Sequence, residues 1–318
     1  MVPTLVGITI VVFAISRMAP GDPVSLGMGP EGQMDQARAA DVQKARKQLY
    51  GLDKPIHIQY VTWLGRVARL NFGDSIKHHR PVIDLIKERL PITLVLNLIS
   101  FTIIYIIAVP LGTLSALGHR RFSDKAISVG LVMLWSLPSM WVGQMLIGYM
   151  SGPTFLNWFP PAGLSGNSAD TMPFFAWLND RLWHLVMPVT CLTYGGFAYL
   201  TKQVRASMLD TLRMDYIRTA RAKGLSNNAV VWRHAFSNSV IPVITIMATL
   251  LPAMFGGSVI IESIFSVPGM GLLAFESVTT RDYNIIMAVA TIAGFLNIFG
   301  LLIGDLAYAM VDPRISFE

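Results

Sequence analysis

Ala126-Ile-Ser-Val-Gly-Leu-Val-Met-Leu-Trp-Ser-Leu-Pro-Ser-Met-Trp-Val-Gly-Gln-Met-Leu-Ile-Gly-Tyr-Met150 contains no Asp, Glu, Lys or Arg. A hydrocarbon core about 30 Å thick takes roughly 20 apolar residues per helix, so this run is long enough to cross one. Val240 to Ile261 is equally free of charge, and Val2 to Met18, Ile92 to Leu117, His184 to Leu200 and Asn284 to Met310 bring the expected spans to six. The chain of 318 residues is 53% hydrophobic and 14% charged, against about a quarter charged in an ordinary soluble domain. It reads as an all-α integral membrane protein.

Short loops rich in Lys and Arg are held on the cytoplasmic side. The turn after the second span carries Arg120, Arg121 and Lys125 against Asp124, and Lys202 to Phe236 carries Lys202, Arg205, Arg213, Arg218, Arg221, Lys223 and Arg233 against Asp210 and Asp215. The opposite loops, Ser151 to Trp183 and Glu262 to Tyr283, hold Arg181 and Arg281 against Asp170, Asp180, Glu262, Glu276 and Asp282. Both termini are therefore expected inside. The segment from Pro20 to Pro91 has eleven Lys or Arg, but segments longer than about 60 residues cross largely regardless of charge, which places it outside. Ile56, Tyr60, Trp63, Leu64 and Val67 follow its polar run from Glu31 to Lys54 at spacings of three and four, the pattern of a surface helix on the membrane or the bundle. The expected divisions are 1–19, the first span; 20–91, the outer amphipathic segment; and 92–318, a five-span core with an inner loop at 203–236.

The first span begins directly after Met1 with no basic anchor, so either the true start is expected upstream or packing against neighbours holds the span. A signal peptide does not fit, because no basic region precedes the apolar run and Arg17 to Gly21 offers no small-residue cleavage site. Cys191 is the single cysteine, so no intrachain disulfide and no cysteine metal cluster is expected. The formal charge of +6 lies largely in the inner loops, where Lys and Arg meet anionic head groups; it implies no nucleic-acid binding. G-x-x-x-x-G-K-[ST], H-E-x-x-H and G-x-S-x-G are all missing, and His57, His78, His79, His119, His184 and His234 are scattered. No catalytic residues, metal site or bound cofactor are expected in this chain, and no enzymatic activity.

Pro110, Pro138, Pro188, Pro242 and Pro252 break the four middle spans, with Gly256 and Gly257 as a flexible pair beyond the last. Proline removes a helix hydrogen bond, which membrane helices tolerate where neighbours or a cavity satisfy the freed carbonyl. The collection favours a gated pathway over a static anchor. Asn97, Gln144 and Asn297 are polar at depth and face the bundle interior, as pathway-lining groups or as interhelical hydrogen bonds. Pathway and gating candidates are thus Asn97, Pro138, Gln144, Pro252, Gly256, Gly257 and Asn297. Gly300 and Gly304 form a G-x-x-x-G suited to close helix approach.

Asp215-Tyr-Ile-Arg-Thr-Ala-Arg-Ala-Lys-Gly224 lies between two spans on the inner side. Met208, Leu212, Tyr216 and Thr219 or Ala220 share an apolar or small face, while Arg213, Arg218, Arg221 and Lys223 project elsewhere. Gly224 is expected to stop the helix in the left-handed conformation and Ser226 to cap the next one. Small Thr219, Ala220 and Ala222 allow the piece to lie in a partner's groove; the alternative is a solvated loop.

The chain resembles, over nearly its whole length, the B-type membrane subunit of the dipeptide and oligopeptide permease family of ABC importers. The resemblance rests on Ala19-Pro-Gly-Asp-Pro23, Tyr50-Gly-Leu-Asp-Lys-Pro55, Asn71-Phe-Gly-Asp-Ser75, Ser136-Leu-Pro138, Asp215 to Leu225, Glu262-Ser-Ile-Phe-Ser-Val-Pro-Gly-Met-Gly271 and Asp312-Pro-Arg314. It implies a type I importer permease fold of six transmembrane helices with a long external segment after the first, in a prokaryotic inner membrane. It implies that Arg218 to Gly224 stands where importers carry Glu-Ala-Ala and, four residues on, Gly; Arg218 and Thr219 depart from that pattern, Ala220 and Gly224 agree. By the same resemblance Asp215, Tyr216, Arg218, Thr219, Ala220, Arg221, Lys223 and Gly224 dock on an ATPase. A second permease subunit, two ATPase subunits holding ATP and Mg, and an external binding protein complete the machine, which carries peptides or similar small solutes. An ion-coupled secondary transporter, the rival, needs ionisable residues at mid-membrane; Asp305 lies only near the inner end of the last span.

Overall fold

The computed structural model describes residues 2–18, 54–152, 155–166, 171–240, 243, 244, 246 and 252–311. Ala19 to Pro23, Glu31 to Asp53, Asp170, Pro242 and Asp312 to Arg314 lie outside the described residues, as does part of the expected span from Val240 to Ile261. Among the described residues the regular elements are helical, with one isolated bridge between Asp74 and Pro81. The chain divides into two units, Met1–Pro91 with Leu273–Ile298, and Ile92–Leu272 with Phe299–Glu318.

In the first unit α1 (Val2–Met18) matches the expected span and α2 (Ile56–Val67) the expected surface helix. Trp63 is buried, and Phe13 lies 5.6 Å from its ring and 5.4 Å from that of Tyr60. The Thr9 and Tyr60 hydroxyls are 2.8 Å apart. The motif at Asn71 to Ser75 is held by the start of the last helix: Ser75 Oγ donates to Asp282 Oδ2 at 2.7 Å, and Asn284 Nδ2 to the Asp74 carbonyl at 2.8 Å. Lys77 N–H gives the buried Asp282 carboxylate a second donor at 3.2 Å, satisfying a group that would be costly to bury bare.

The helix α3 (Val82–Leu117) starts ten residues before the expected span at Ile92. Val82, Leu85 and Ile86 recur at helical spacing and are buried, so an apolar stripe carries the helix through Asp84, Lys87 and Glu88. The charge-free run is bent rather than straight: α4 (Phe122–Ser136) and α5 (Ser139–Leu146), with its π-helical extension to Ser151, meet at 86°. Pro138 has no N–H for the helix ladder, so the Leu134 carbonyl takes the Leu137 N–H at 3.2 Å instead; Leu137 is extended, and its carbonyl accepts from Tyr194 OH at 2.6 Å.

The helix α6 (Phe174–Leu212) runs 39 residues through Pro188 and past both ends of the expected span. It packs closely on α3, where a Cβ at Gly112 would lie 2.6 Å from Val204 Cβ. There follow α7 (Asp215–Ala222), the helical stretch α8 (227–239) with a π-helical middle at Val230–Phe236, a 3-10 turn at Pro252–Phe255, α9 (Val259–Ile264), α10 (Met270–Thr279) and α11 (Tyr283–Val311). By length and composition α3 and Tyr283–Gly304 of α11 can each cross a bilayer, and the bent pair makes a third if it is one span.

Candidate docking site

The core of the second unit reaches the basic segment directly. Ile104, Ala108 and Ala116 of α3, Val204 and Met208 of α6, Ile217 and Ala220 of α7, and Val230, Val231 and Ala235 of α8 form one buried cluster. Ile217 is fully buried, a contribution of about 1.5–3 kcal/mol for a side chain of its size. The inward face of α7 is therefore Ile217 and Ala220. Of the face expected from Met208, Leu212, Tyr216 and Thr219 or Ala220, Ala220 is buried while Tyr216 and Thr219 are exposed. The chain turns at Arg213 and Met214 between α6 and α7, which resets the helical phase, so a stripe counted straight through the turn lands on the wrong residues.

Gly224 has φ +78°, the left-handed conformation expected of it. Leu225 N–H donates to the Ala220 carbonyl at 3.3 Å and Gly224 N–H to that of Arg221 at 3.0 Å, the paired bonds of a Schellman stop. Ser226 Oγ then accepts from Ala229 N–H at 3.3 Å and caps α8. Ser207 Oγ donates to the Ser239 carbonyl at 2.8 Å, tying the far end of α8 back to α6.

Outward, the segment presents Asp215, Tyr216, Arg218, Thr219, Arg221, Lys223 and Gly224 to solvent, with Arg218 Nη1 3.5 Å from Asp215 Oδ1 and Thr219 Oγ1 donating to the Asp215 carbonyl at 3.0 Å. Met214, Leu225 and Trp232 are also exposed, Trp232 by 49%. Sequence reasoning passed over these three because each sits in or beyond a turn, outside the helical period it followed. The seated helix thus sets large apolar side chains among exposed cations.

Next to this core Asp124 is buried and fully satisfied. Its Oδ1 accepts from Ser115 Oγ at 2.6 Å and Arg205 Nε at 2.7 Å, its Oδ2 from Arg205 Nη2 at 2.7 Å and Arg120 N–H at 2.9 Å. The Arg205 hydrogen bonds, helped by Ser115 and Arg120, hold the carboxyl well below the usual carboxylate range against the opposing effect of burial. The same pairing raises the Arg205 guanidinium. Arg205 Nη2 also lies 3.1 Å from His119 Nδ1; a guanidinium only donates, so that nitrogen accepts. In the sequence Asp124 counted merely as one acid among three cations.

The pathway candidates separate. Asn97 Nδ2 donates to the Met254 carbonyl at 2.7 Å, satisfying the 3-10 turn that begins at Pro252. Pro138 is the bend described above, and Gln144 is exposed. Asn297 is exposed in the first unit. Gly256 and Gly257 do not form the expected flexible pair. Gly257 has φ +67°, and a Cβ there would lie 2.6 Å from Gly271 N and 2.7 Å from Glu262 Oε1. The fully buried Glu262 carboxylate accepts from Thr93 Oγ1 at 3.2 Å, Ser258 N–H at 3.2 Å and Leu272 N–H at 2.8 Å. This loop is cross-braced around one carboxylate. Among the described residues no group of three or more His, Cys, Asp or Glu is arranged to hold a metal ion.

Residues 108–317 match the family described as binding-protein-dependent transport system inner membrane component, and residues 1–97 match the N-terminal part of such components. The oligopeptide transport system permease protein AppB of Bacillus subtilis (strain 168) is 41% identical, over 99% of this chain and 96% of the relative. The inner membrane ABC transporter permease protein YejB of Escherichia coli O157:H7 is 33% identical, over 100% and 96%. A solved inward-facing structure of the MetNI methionine ABC transporter shares the fold at a TM-score of 0.51 and 14% identity, covering 72% of this chain and 96% of that chain.

Proposed function

We propose that this chain, which belongs to the family of binding-protein-dependent transport system inner membrane components, forms half of a translocation pathway for peptides or similar small solutes and takes its power through α7. It is an all-α permease subunit of an ABC importer, and the fold it shares is that of an ABC importer's membrane subunit rather than a secondary carrier. The relatives' names support peptides as the cargo class.

The observation that carries the docking role is the seating of α7: Ile217 and Ala220 lock it onto the α3–α6 core, while Tyr216, Arg218, Thr219, Arg221 and Lys223 are left for a partner. In this role Asp215 to Gly224 fits a groove on an ATPase subunit. A related second permease subunit completes the pathway, two ATPase subunits bind ATP and Mg, and an external binding protein delivers the solute. ATP-driven closure of the ATPase pair moves α7, and rocking of the helices behind it switches the pathway between inward and outward access. Both termini and the α7 turn lie in the cytoplasm.

Purification of the chain from its native membrane tests this. Retention of the ATPase pair in detergent, lost on Tyr216→Ala with Arg218→Ala, is the expected result. Absence of any ATPase in the wild-type complex, or labelling of Lys223 by an impermeant reagent outside intact cells, overturns it.

A further inference from the structure

Asp124 and Arg205 join three elements at one point. Ser115 lies at the end of α3, Asp124 in the first turn of α4, and Arg205 on α6. Arg205 is seven residues before the end of α6 at Leu212, about 10 Å along a helix. Met208, one turn further on, is buried in the cluster that also contains Ile217 and Ala220 of α7. The turn between α3 and α4 is itself constrained. Arg120 has φ +64°, unfavourable for a side-chain-bearing residue, and its N–H is held by Asp124 Oδ2. A strained turn, two helix ends and the shaft of α6 are thus fastened by one carboxylate with four donors.

We propose that the Asp124–Arg205 pair is a positioning contact for transport, a strut that passes displacement of the docking helix from α6 to the α3–α4 turn so that these helices move as one body. The strut rests on the docking role proposed for α7. A bidentate guanidinium–carboxylate pair suits this, since its two parallel bonds fix orientation as well as distance. Apolar contact between α6 and α4 alone permits sliding along ridges and grooves; the paired bonds between Arg205 and Asp124 do not. Neither residue belongs to the exposed docking face.

The test uses the complete importer in proteoliposomes with its binding protein and measures solute uptake and ATP hydrolysis per assembled complex. Asp124→Asn, which keeps the size and removes the charge, is expected to lower uptake per ATP hydrolysed about fivefold, with hydrolysis changing by no more than about twofold. Arg205→Lys keeps the charge without the fork and is expected to fall between that variant and the wild type. Loss of uptake and hydrolysis in proportion to the complex recovered would assign the pair a structural role only and overturn the proposal, as would an unchanged ratio in both variants. The wild type separates the two ideas: docking is judged by whether the ATPase pair is retained, the strut by the ratio, and a wild-type chain without ATPase subunits overturns both.

Discussion

Arg205 closes on Asp124 through two parallel hydrogen bonds, Nε to Oδ1 and Nη2 to Oδ2, each 2.7 Å long. The carboxyl is held below its ordinary range, so its stabilising contribution is complete above about pH 4, where an unfolded carboxyl is ionised, and is lost only as pH falls through the lower folded value. Asp124→Asn leaves the guanidinium without its counter-charge and is expected to cost about 3 kcal/mol. Thermal melts in detergent should place the wild type above Asp124→Asn by a constant margin between about pH 8 and pH 5. A margin that vanishes within that window contradicts the assignment.

Gly224 needs its backbone conformation, not its small volume: nothing lies within 4 Å of where a Cβ would stand. Gly224→Val should therefore insert normally but distort the Schellman stop, at a strain of about 1–2 kcal/mol, and uncouple uptake from hydrolysis. Gly224→Asn, which tolerates the left-handed region, should retain most transport. Equal uptake by the two variants would show that the turn does not matter.

Ile217 and Tyr216 are neighbours with opposite roles. Ile217→Ala empties a fully buried site and should destabilise the chain by about 2–5 kcal/mol, seen as a lower Tm. Tyr216→Ala should leave Tm unchanged and weaken retention of the ATPase pair. A destabilised Tyr216→Ala, or an unaffected Ile217→Ala, reverses the assigned faces of α7.

Gly271→Ala would push a methyl group to 2.8 Å from Val259 N and 3.1 Å from Glu262 Oε2. The loop braced around Glu262 must then open, so expression and Tm should both drop. Gly256→Ala, whose nearest neighbour would be the Ala253 carbonyl at 3.8 Å, should be tolerated. Comparable melting of the two variants would show that the brace is not rigid.

The membrane class, the amphipathic α2, the left-handed stop at Gly224 and the cap at Ser226 were all legible in the sequence. Each depends on local chemistry: hydropathy over a span, a period of three and four, a residue without Cβ, a hydroxyl one turn before an N–H. The early start of α3 was missed because Asp84, Lys87, Glu88 and Arg89 mask an apolar stripe that only burial reveals. On α7 Ala220 is buried as spacing allows, but Ile217 rather than Tyr216 accompanies it, because a turn shifts helical phase by an amount that spacing does not record.

Composition and motif by themselves determined that this chain is a helical membrane protein with a basic segment set between apolar runs, because desolvation of a backbone and the steric demands of single residues act locally. Tertiary structure alone decided which side of α7 is buried, that Gly257 is clamped rather than free, and that Asp124 meets a cation 81 residues away in the chain. Those outcomes hang on which donors and side chains converge in space, and convergence between distant segments leaves no periodic trace along the chain.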